Sequence, residues 1–360
     1  MFQIVFTAVN ISKLQIYKRF VTDGGIVTYP KQDHCFLNTM EITHIQEISF
    51  KELSTEKLDY VIAACGYQPR CYYLAEKIKP GNAEKFMVTI DEPGYDQNRC
   101  KHKEVFLQAG YKTFNSSMKD SGTIEKLMTS LCNNPKEQLN ILIDYSCMPK
   151  NWYSVIIDNI TRNNFSSAKI NLYLSYTPKL FEKRTKPRPV DYFGPILSLK
   201  DKLKEKKPVT MIASLDNDSH MITNAIKQVK PQKLMVFIPD CVHDPEYTES
   251  VLNSNKALLQ QLTDKQIMHY KTNQPEQINA LLTSSCLDFR VNTEVMIVPQ
   301  GPKIFSMVAL LVSIRYPDIK LWEIIPKSSS LNSEFGLPAA IPTIIKASFL
   351  DDDSTDEVEE

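Results

Sequence analysis

Glycine is scarce in this chain, with 10 residues in 360. Neither G-x-x-x-x-G-K-[ST] nor G-x-G-x-x-G occurs, which excludes a Walker-type phosphate loop and a dinucleotide fingerprint. Any phosphate must then be held by helix N-termini and basic side chains. Neither sign of charge is in excess. The 42 basic and 42 acidic residues cancel, so no whole-protein attraction draws the chain to nucleic acid or to a membrane surface. A local basic cleft remains compatible with that balance. No apolar run approaches the roughly 20 residues of a spanning helix. The longest, 304–314 (IFSMVALLVSI), stops at Arg315 and reads as a buried helix. The opening MFQIVFTAVN lacks a basic leader and a small-residue cleavage site, and reads as a strand rather than a signal peptide. The eight cysteines form no C-x-x-C pair, so reduced thiols and a cytoplasmic setting are expected. The six histidines form no H-x-x-x-H or H-E-x-x-H spacing. Asp240, His243 and Asp244 (DCVHD) read as a polar strand-end loop, and no metal site is expected.

What the chain does contain is a pattern stated twice. Residues 61–93 run VIAACGYQPRCYYLAEKIKPGNAEKFMVTIDEP, and 211–241 run MIASLDNDSHMITNAIKQVKPQKLMVFIPDC. Both read as apolar strand, polar turn, amphipathic helix, Lys-Pro, second apolar strand. A later pair, 141–150 (ILIDYSCMPK) and 295–303 (VMIVPQGPK), closes each time on Pro-Lys before a helix. The period is about 150 residues, too long and too few in copies for a solenoid. The near-continuous apolar run of 59–65 suits a parallel strand covered on both faces. Strands alternating with helices imply parallel sheets with right-handed crossovers. The expected fold is therefore α/β, with two Rossmann-like lobes of mainly parallel sheets related by internal duplication.

The organisation reads as an N-terminal α/β segment (1–58), lobe 1 (59–178) and a basic Pro-rich connector (179–208). Lobe 2 (209–326), a C-terminal extension (327–349) and an acidic tail (350–360) expected to be disordered complete it. The first segment predicts strands at 2–9, 26–29 and 47–50 and a helix at 13–20. Lobe 1 predicts strands at 59–65, 85–90, 139–145 and 170–175, and helices at 70–78, 101–109, 124–131 and 152–161. Lobe 2 predicts strands at 209–215, 233–238, 267–270, 294–298 and 319–324. Its helices fall at 221–229, 246–262, 276–282 and 304–314.

In open α/β sheets, ligands sit beyond the carboxyl ends of the strands. That rule selects residues 66–70, 144–150, 216–220 and 299–303. Gly66 would let a ligand approach the backbone, Tyr67 could stack on a base, and Arg70 could grip a phosphate or carboxylate in bidentate fashion. Asp144, at the end of a buried strand, needs a partner. It could be a general base, an acceptor for a ribose hydroxyl, or a helix cap. Ser146 could cap the next helix or bind an anion, and Lys150 could pair with phosphate. In lobe 2 the corresponding stretches hold Asp216, Asn217, Gly301 and Lys303. The lobes thus share a scaffold but differ in chemistry. Each residue also has a plain structural reading, as turn, cap or exposed cation. Cys65, Cys147 and Cys241 border apolar strands, where buried cysteine is usually inert.

In its tandem Rossmann-like architecture, with ligand-reading residues at strand ends and no phosphate loop, the stretch 59–326 resembles the CARF and SAVED sensor domains of prokaryotic defence systems. The resemblance implies a cyclic or linear oligonucleotide bound between paired lobes. No effector domain is legible, so it also implies a separate protein partner. The leading functional expectation is a nucleotide-binding sensor or regulatory subunit, one that could serve antiviral defence. Tyr67 would stack, Arg70, Lys150 and Lys303 would hold phosphates, and Asp144 would accept a ribose hydroxyl. Two alternatives stand beside it. One is a hydrolase of nucleotides or nucleic acid with Asp144 as general base and Arg70 stabilising developing charge. The other is a non-catalytic assembly subunit. No cofactor, membrane or strong general nucleic-acid affinity is indicated.

Overall fold

The computed structural model describes residues 40–90, 96–117, 120–132, 136–162, 165–181, 188–196, 207–327 and 337–351. All of them belong to one compact unit, Asn38–Glu360. The elements expected at 2–9, 13–20 and 26–29 lie outside the described residues, as do most of the connector and the tail beyond Asp351.

The first part of the chain forms β1 (Met40–Ile48), α1 (Phe50–Thr55), β2 (Tyr60–Cys65), α2 (Tyr73–Lys77), β3 (Glu84–Ile90), α3 (Asp96–Gln108), β4 (Lys112–Ser116), α4 (Gly122–Leu131), β5 (Gln138–Asp144), α5 (Lys150–Thr161) and β6 (Lys169–Tyr176). The second part forms β7 (Val190–Pro195), β8 (Val209–Ser214), α6 (Ser219–Val229), β9 (Lys233–Asp240), α7 (Pro245–Ser254), α8 (Lys256–Leu259), β10 (Ile267–Lys271), α9 (Pro275–Phe289), β11 (Glu294–Pro299), α10 (Lys303–Arg315), β12 (Lys320–Pro326) and β13 (Thr343–Asp351).

These strands build two sheets, ordered β1-β13-β6-β5-β2-β3-β4 and β10-β9-β8-β11-β12-β7. The run β6-β5-β2-β3-β4 is parallel throughout, and so is β10-β9-β8-β11-β12. Numbered within each lobe, both parallel runs follow the order 3-2-1-4-5 of a doubly wound Rossmann-like half. The fold is therefore two Rossmann-like lobes, with β2 and β8 in the same topological place. The additions differ. Lobe 1 gains the antiparallel strands β13 and β1 beside β6. Lobe 2 gains the antiparallel β7 beside β12.

Side-chain alternation fixes the layering. Ile62 and Ala64 of β2 face one apolar cluster, while Val61, Ala63 and Cys65 face another. In β8, Ile212 joins that same first cluster, and Met211 and Ala213 turn to a third. The shared cluster holds Leu127 of α4, Trp152 and Ile156 of α5, Leu282 of α9, and Phe305 and Leu310 of α10. The layers thus run helix, sheet, helix, sheet, helix, with α4, α5, α9 and α10 sandwiched in the middle. This position explains why α10 is apolar on every side, with Ile304 through Ser313 all buried. One continuous core joins the lobes.

Several elements differ from the sequence expectation. The helix expected at 70–78 is a 3-10 turn, Pro69–Cys71, followed by the short α2. The helix expected at 246–262 breaks at Asn255. Its side-chain amide there donates to the carbonyls of Asp216 and Val251, both at 2.8 Å. The sheet edge β4 was not expected at all. Its sequence KTFNS is polar and only Ser116 is buried, so the apolar signal of a covered strand is missing. Residues 343–351 form the internal strand β13, which extends past the expected start of the tail and pairs Leu350 and Asp351 with Glu41 and Met40.

Candidate functional site: a cleft at the strand ends between the lobes

Two lysines bind the carboxyl ends of the sheets together. Lys150, the first residue of α5, donates to the Pro299 carbonyl at the end of β11, at 2.9 Å. Lys303, the first residue of α10, donates to the carbonyls of Tyr145, Ser146 and Met148 after β5, at 3.3, 3.1 and 2.7 Å. All three of its N–H donors are thereby used. The repeated Pro-Lys thus does reciprocal work, each lysine reaching the opposite lobe. Burial lowers both ammonium groups, Lys303 to about 7, and Glu323 and Asp216 supply charge of the opposite sign near Lys150.

Beside this junction opens a cleft of about 250 Å³. Lobe 1 contributes Arg70, which follows β2, and Tyr176 at the end of β6. Lobe 2 contributes Asp216 and Asn217 after β8, His243 and Asp244 after β9, Asn273 after β10, and Gly301 to Lys303 after β11. Pro178, Lys179 and Phe181 cross from β6 as a further wall. The carboxyl ends of lobe 2's strands therefore face the cleft, as the strand-end rule requires.

Arg70 is 6% exposed. Its Nε donates to Gln68 Oε1 and one terminal nitrogen to the Thr177 carbonyl, both at 2.8 Å. Its guanidinium lies over the Tyr176 ring at 5.8 Å, and Tyr176 stacks on Tyr145 at 5.5 Å. Among the described residues no carboxylate pairs with it. A buried cation without a carboxylate partner, open to a cleft, favours negative charge beside it.

The opposite wall is acidic but already engaged. Asp216 Oδ1 accepts from the Tyr247 hydroxyl at 2.9 Å and from the Asn217 backbone at 2.8 Å. Asp244 caps α7 and also accepts from the Phe181 backbone at 2.7 Å, while the Phe181 and Tyr247 rings meet at 5.5 Å. Gly301 has φ +79, and a Cβ there would lie 2.6 Å from the Leu215 carbonyl. Left-handed backbone and close approach both require glycine at this point.

Of the residues singled out in the sequence, Arg70, Asp216, Asn217, Gly301 and Lys303 line the cleft; Gly66, Tyr67, Asp144, Ser146 and Lys150 do not. Gly66 accepts from the His102 ring at 2.9 Å, and Tyr67 is half-buried. Lys150 is spent on Pro299. Asp144 lies behind the wall, 3% exposed. One of its oxygens accepts from the Ser146 hydroxyl and backbone, and the other has no partner. Burial pushes this acid up to about 7, against the Ser146 hydrogen bonds. Ser146 in turn accepts from the Thr177 backbone at 2.8 Å. Tyr176, Phe181, Tyr247 and Asn273 do not figure in the sequence reading, and His243 figures there only in a polar strand-end loop. The four stretches named in the sequence follow only the first and fourth strands of each lobe. Extending the strand-end rule to the ends of β6, β9 and β10 finds Tyr176, His243 and Asn273.

No protein-family model matches this chain, and no curated protein matches it. Among solved structures, a universal stress protein from Archaeoglobus fulgidus DSM 4304 is similar at 12% identity with a TM-score of 0.23, over 75% of this chain and 97% of that one. A likeness of that size assigns no function. Among the described residues, no helix is long and apolar enough to cross a membrane.

Proposed function

We propose that this chain is a nucleotide-binding sensor or regulatory subunit whose ligand occupies the cleft between the lobes. The observation that carries the reading is Arg70, buried, without a carboxylate partner and open to the cleft. A phosphate would supply the missing anion and take up its unused N–H donors. The N-terminus of α10 at Pro302 and Lys303 lies in the same wall and favours negative charge. Lys303 acts here through its charge, since its donors are committed to lobe 1. The base would lie against Tyr176, Phe181 or Tyr247 in place of Tyr67. Asp216, Asn217 and Asn273 supply polar groups for sugar and base edges. A protein partner that acts on the bound state, as the resemblance to CARF and SAVED sensors implies, belongs to this proposal, and so does a part in antiviral defence. Only the tandem Rossmann-like layout supports those two.

The hydrolase alternative depends on Asp144. Its pKa, pushed up to about 7 by burial, suits a base near neutrality, but it stands behind the cleft wall, so the sensor reading is preferred. Thermal unfolding with nucleoside mono-, di- and triphosphates and short oligonucleotides tests the choice. A sensor gains melting temperature with at least one of them and leaves it chemically intact. Turnover that Asp144→Asn abolishes would establish the hydrolase instead. No shift with any of these compounds would overturn the ligand class.

A further inference from the structure

The two walls of the cleft carry unlike charge, and the duplication shows how. With VIAACG of lobe 1 set against MIASLD of lobe 2, Asp216 stands where lobe 1 has Gly66, and Arg70 stands where lobe 2 has His220. Neither Gly66 nor His220 lines the cleft. Among the described residues, the buried guanidinium therefore comes from lobe 1 alone, and the strand-end carboxylates of Asp216 and Asp244 come from lobe 2 alone. Lys179, on the segment leaving β6, and Lys303, whose donors reach lobe 1, also line it.

Asp216 is held as a fixed acceptor. Its Oδ1 takes the Tyr247 hydroxyl and the Asn217 backbone N–H. Its main-chain carbonyl is held at 2.8 Å by Asn255, itself 1% exposed. These contacts orient the carboxylate and leave Oδ2 with no hydrogen bond or ion pair among the described residues. Asp244 differs. Its two oxygens accept from the backbone N–H groups of Tyr247 and Phe181, so it contributes charge rather than an open acceptor.

We propose that the cleft takes a single ribonucleotide with one phosphate, the phosphate on Arg70 and a ribose hydroxyl on Asp216 Oδ2. This narrows the nucleotide reading above and rests on it. An ionised carboxylate only accepts hydrogen bonds, so Asp216 calls for a donor and repels a second phosphate. Sugar hydroxyls are donors, whereas the 3′-phosphate of a longer chain puts an anion in their place. The Tyr247 ring continues from the hydroxyl bound to Asp216 and meets Phe181. A sugar at Asp216 and a base against Tyr247 or Phe181 are then neighbours, as they are within a nucleoside. The cleft's volume of about 250 Å³ falls just under the roughly 300–1,000 Å³ of drug-sized ligand sites, which suits one nucleotide rather than a chain. Unlike walls also match a ligand with unlike ends better than a cyclic dinucleotide with twofold symmetry.

Calorimetric titration of the full chain tests this. Each ribonucleoside 5′-monophosphate is compared with its 2′-deoxy and 3′-deoxy forms, its 3′,5′-bisphosphate, and the matching linear and cyclic dinucleotides. At least one 5′-monophosphate is expected to bind, and to lose about tenfold or more in affinity when one hydroxyl is removed or a 3′-phosphate is added. Asp216→Ala should bring these compounds near parity, while Arg70→Gln weakens all of them and keeps the hydroxyl preference. Deoxy forms, a bisphosphate or a dinucleotide that bind as tightly as the monophosphate overturn this inference and leave the nucleotide reading standing. A hydroxyl preference that survives in folded Asp216→Ala overturns the role of Asp216. Should that variant fail to fold, the wild-type preferences decide. Binding by none of these compounds overturns both the inference and the reading beneath it.

Discussion

Lys150 and Lys303 hold the same place in their lobes and exchange partners across the boundary. Each opens the helix after the fourth strand of its Rossmann-like half, and each donates to main-chain carbonyls of the other half. Their loads differ, with one carbonyl for Lys150 and three for Lys303. Lys303→Met leaves three acceptors in a part-buried junction without that donor. It is expected to lower unfolding free energy by on the order of 2–4 kcal/mol, against about 1 kcal/mol for Lys150→Met. Urea unfolding of both variants measures the difference, and equal losses would contradict the reciprocal brace.

Gly301 is expected to tolerate no side chain. Its φ of +79 and the 2.6 Å approach of a Cβ to the Leu215 carbonyl put a rigid backbone in the way. Gly301→Ala should cost about 2 kcal/mol or more and should deform the cleft wall that this residue lines. Denaturant midpoints report the first effect.

Asp144 makes stability depend on pH with a definite sign. Burial raises its folded-state pKa to about 7 from 3.8, so the folded chain keeps this proton at pH values where the unfolded chain has lost it. The stabilisation is complete below about pH 4 and is lost as pH rises toward 7. Wild type should therefore lose on the order of 4 kcal/mol relative to Asp144→Asn between pH 4 and pH 8. Paired denaturation curves across that window check it, and a pH-independent difference would refute the assignment.

Asn255 breaks the helix expected at 246–262 in order to hold the Asp216 carbonyl. Asn255→Ala should lower stability by about 1–3 kcal/mol, because the part-buried Asp216 carbonyl loses that donor and the Val251 carbonyl keeps only the Asn255 backbone N–H. Any ligand that uses Asp216 should bind more weakly to the variant, as titration would reveal.

What was legible in the chain follows signal strength. The strands β2, β5, β8 and β11 are buried on both faces, so their apolar runs stand out and the repeat with them. The polar edge β4 carries no such run. Its counterpart β10 was visible, so the duplication itself could have supplied it. The strands β1 and β13 mix buried and exposed positions and pair with each other across about 300 residues, as in Met40 with Asp351. No local pattern encodes that pairing. Arg70 was legible because it follows a strand end. The spending of Lys150 and Lys303 on backbone carbonyls was not, because the Pro-Lys motif looks the same whether the lysine meets a phosphate or the opposite lobe.

The most direct test is calorimetric titration of wild type and Arg70→Gln with nucleoside phosphates and short linear and cyclic oligonucleotides. The account predicts that at least one compound binds wild type and loses tenfold or more in affinity with Arg70→Gln, while the unliganded variant remains folded. Binding that ignores the substitution, or no binding by any of these anions, would contradict it.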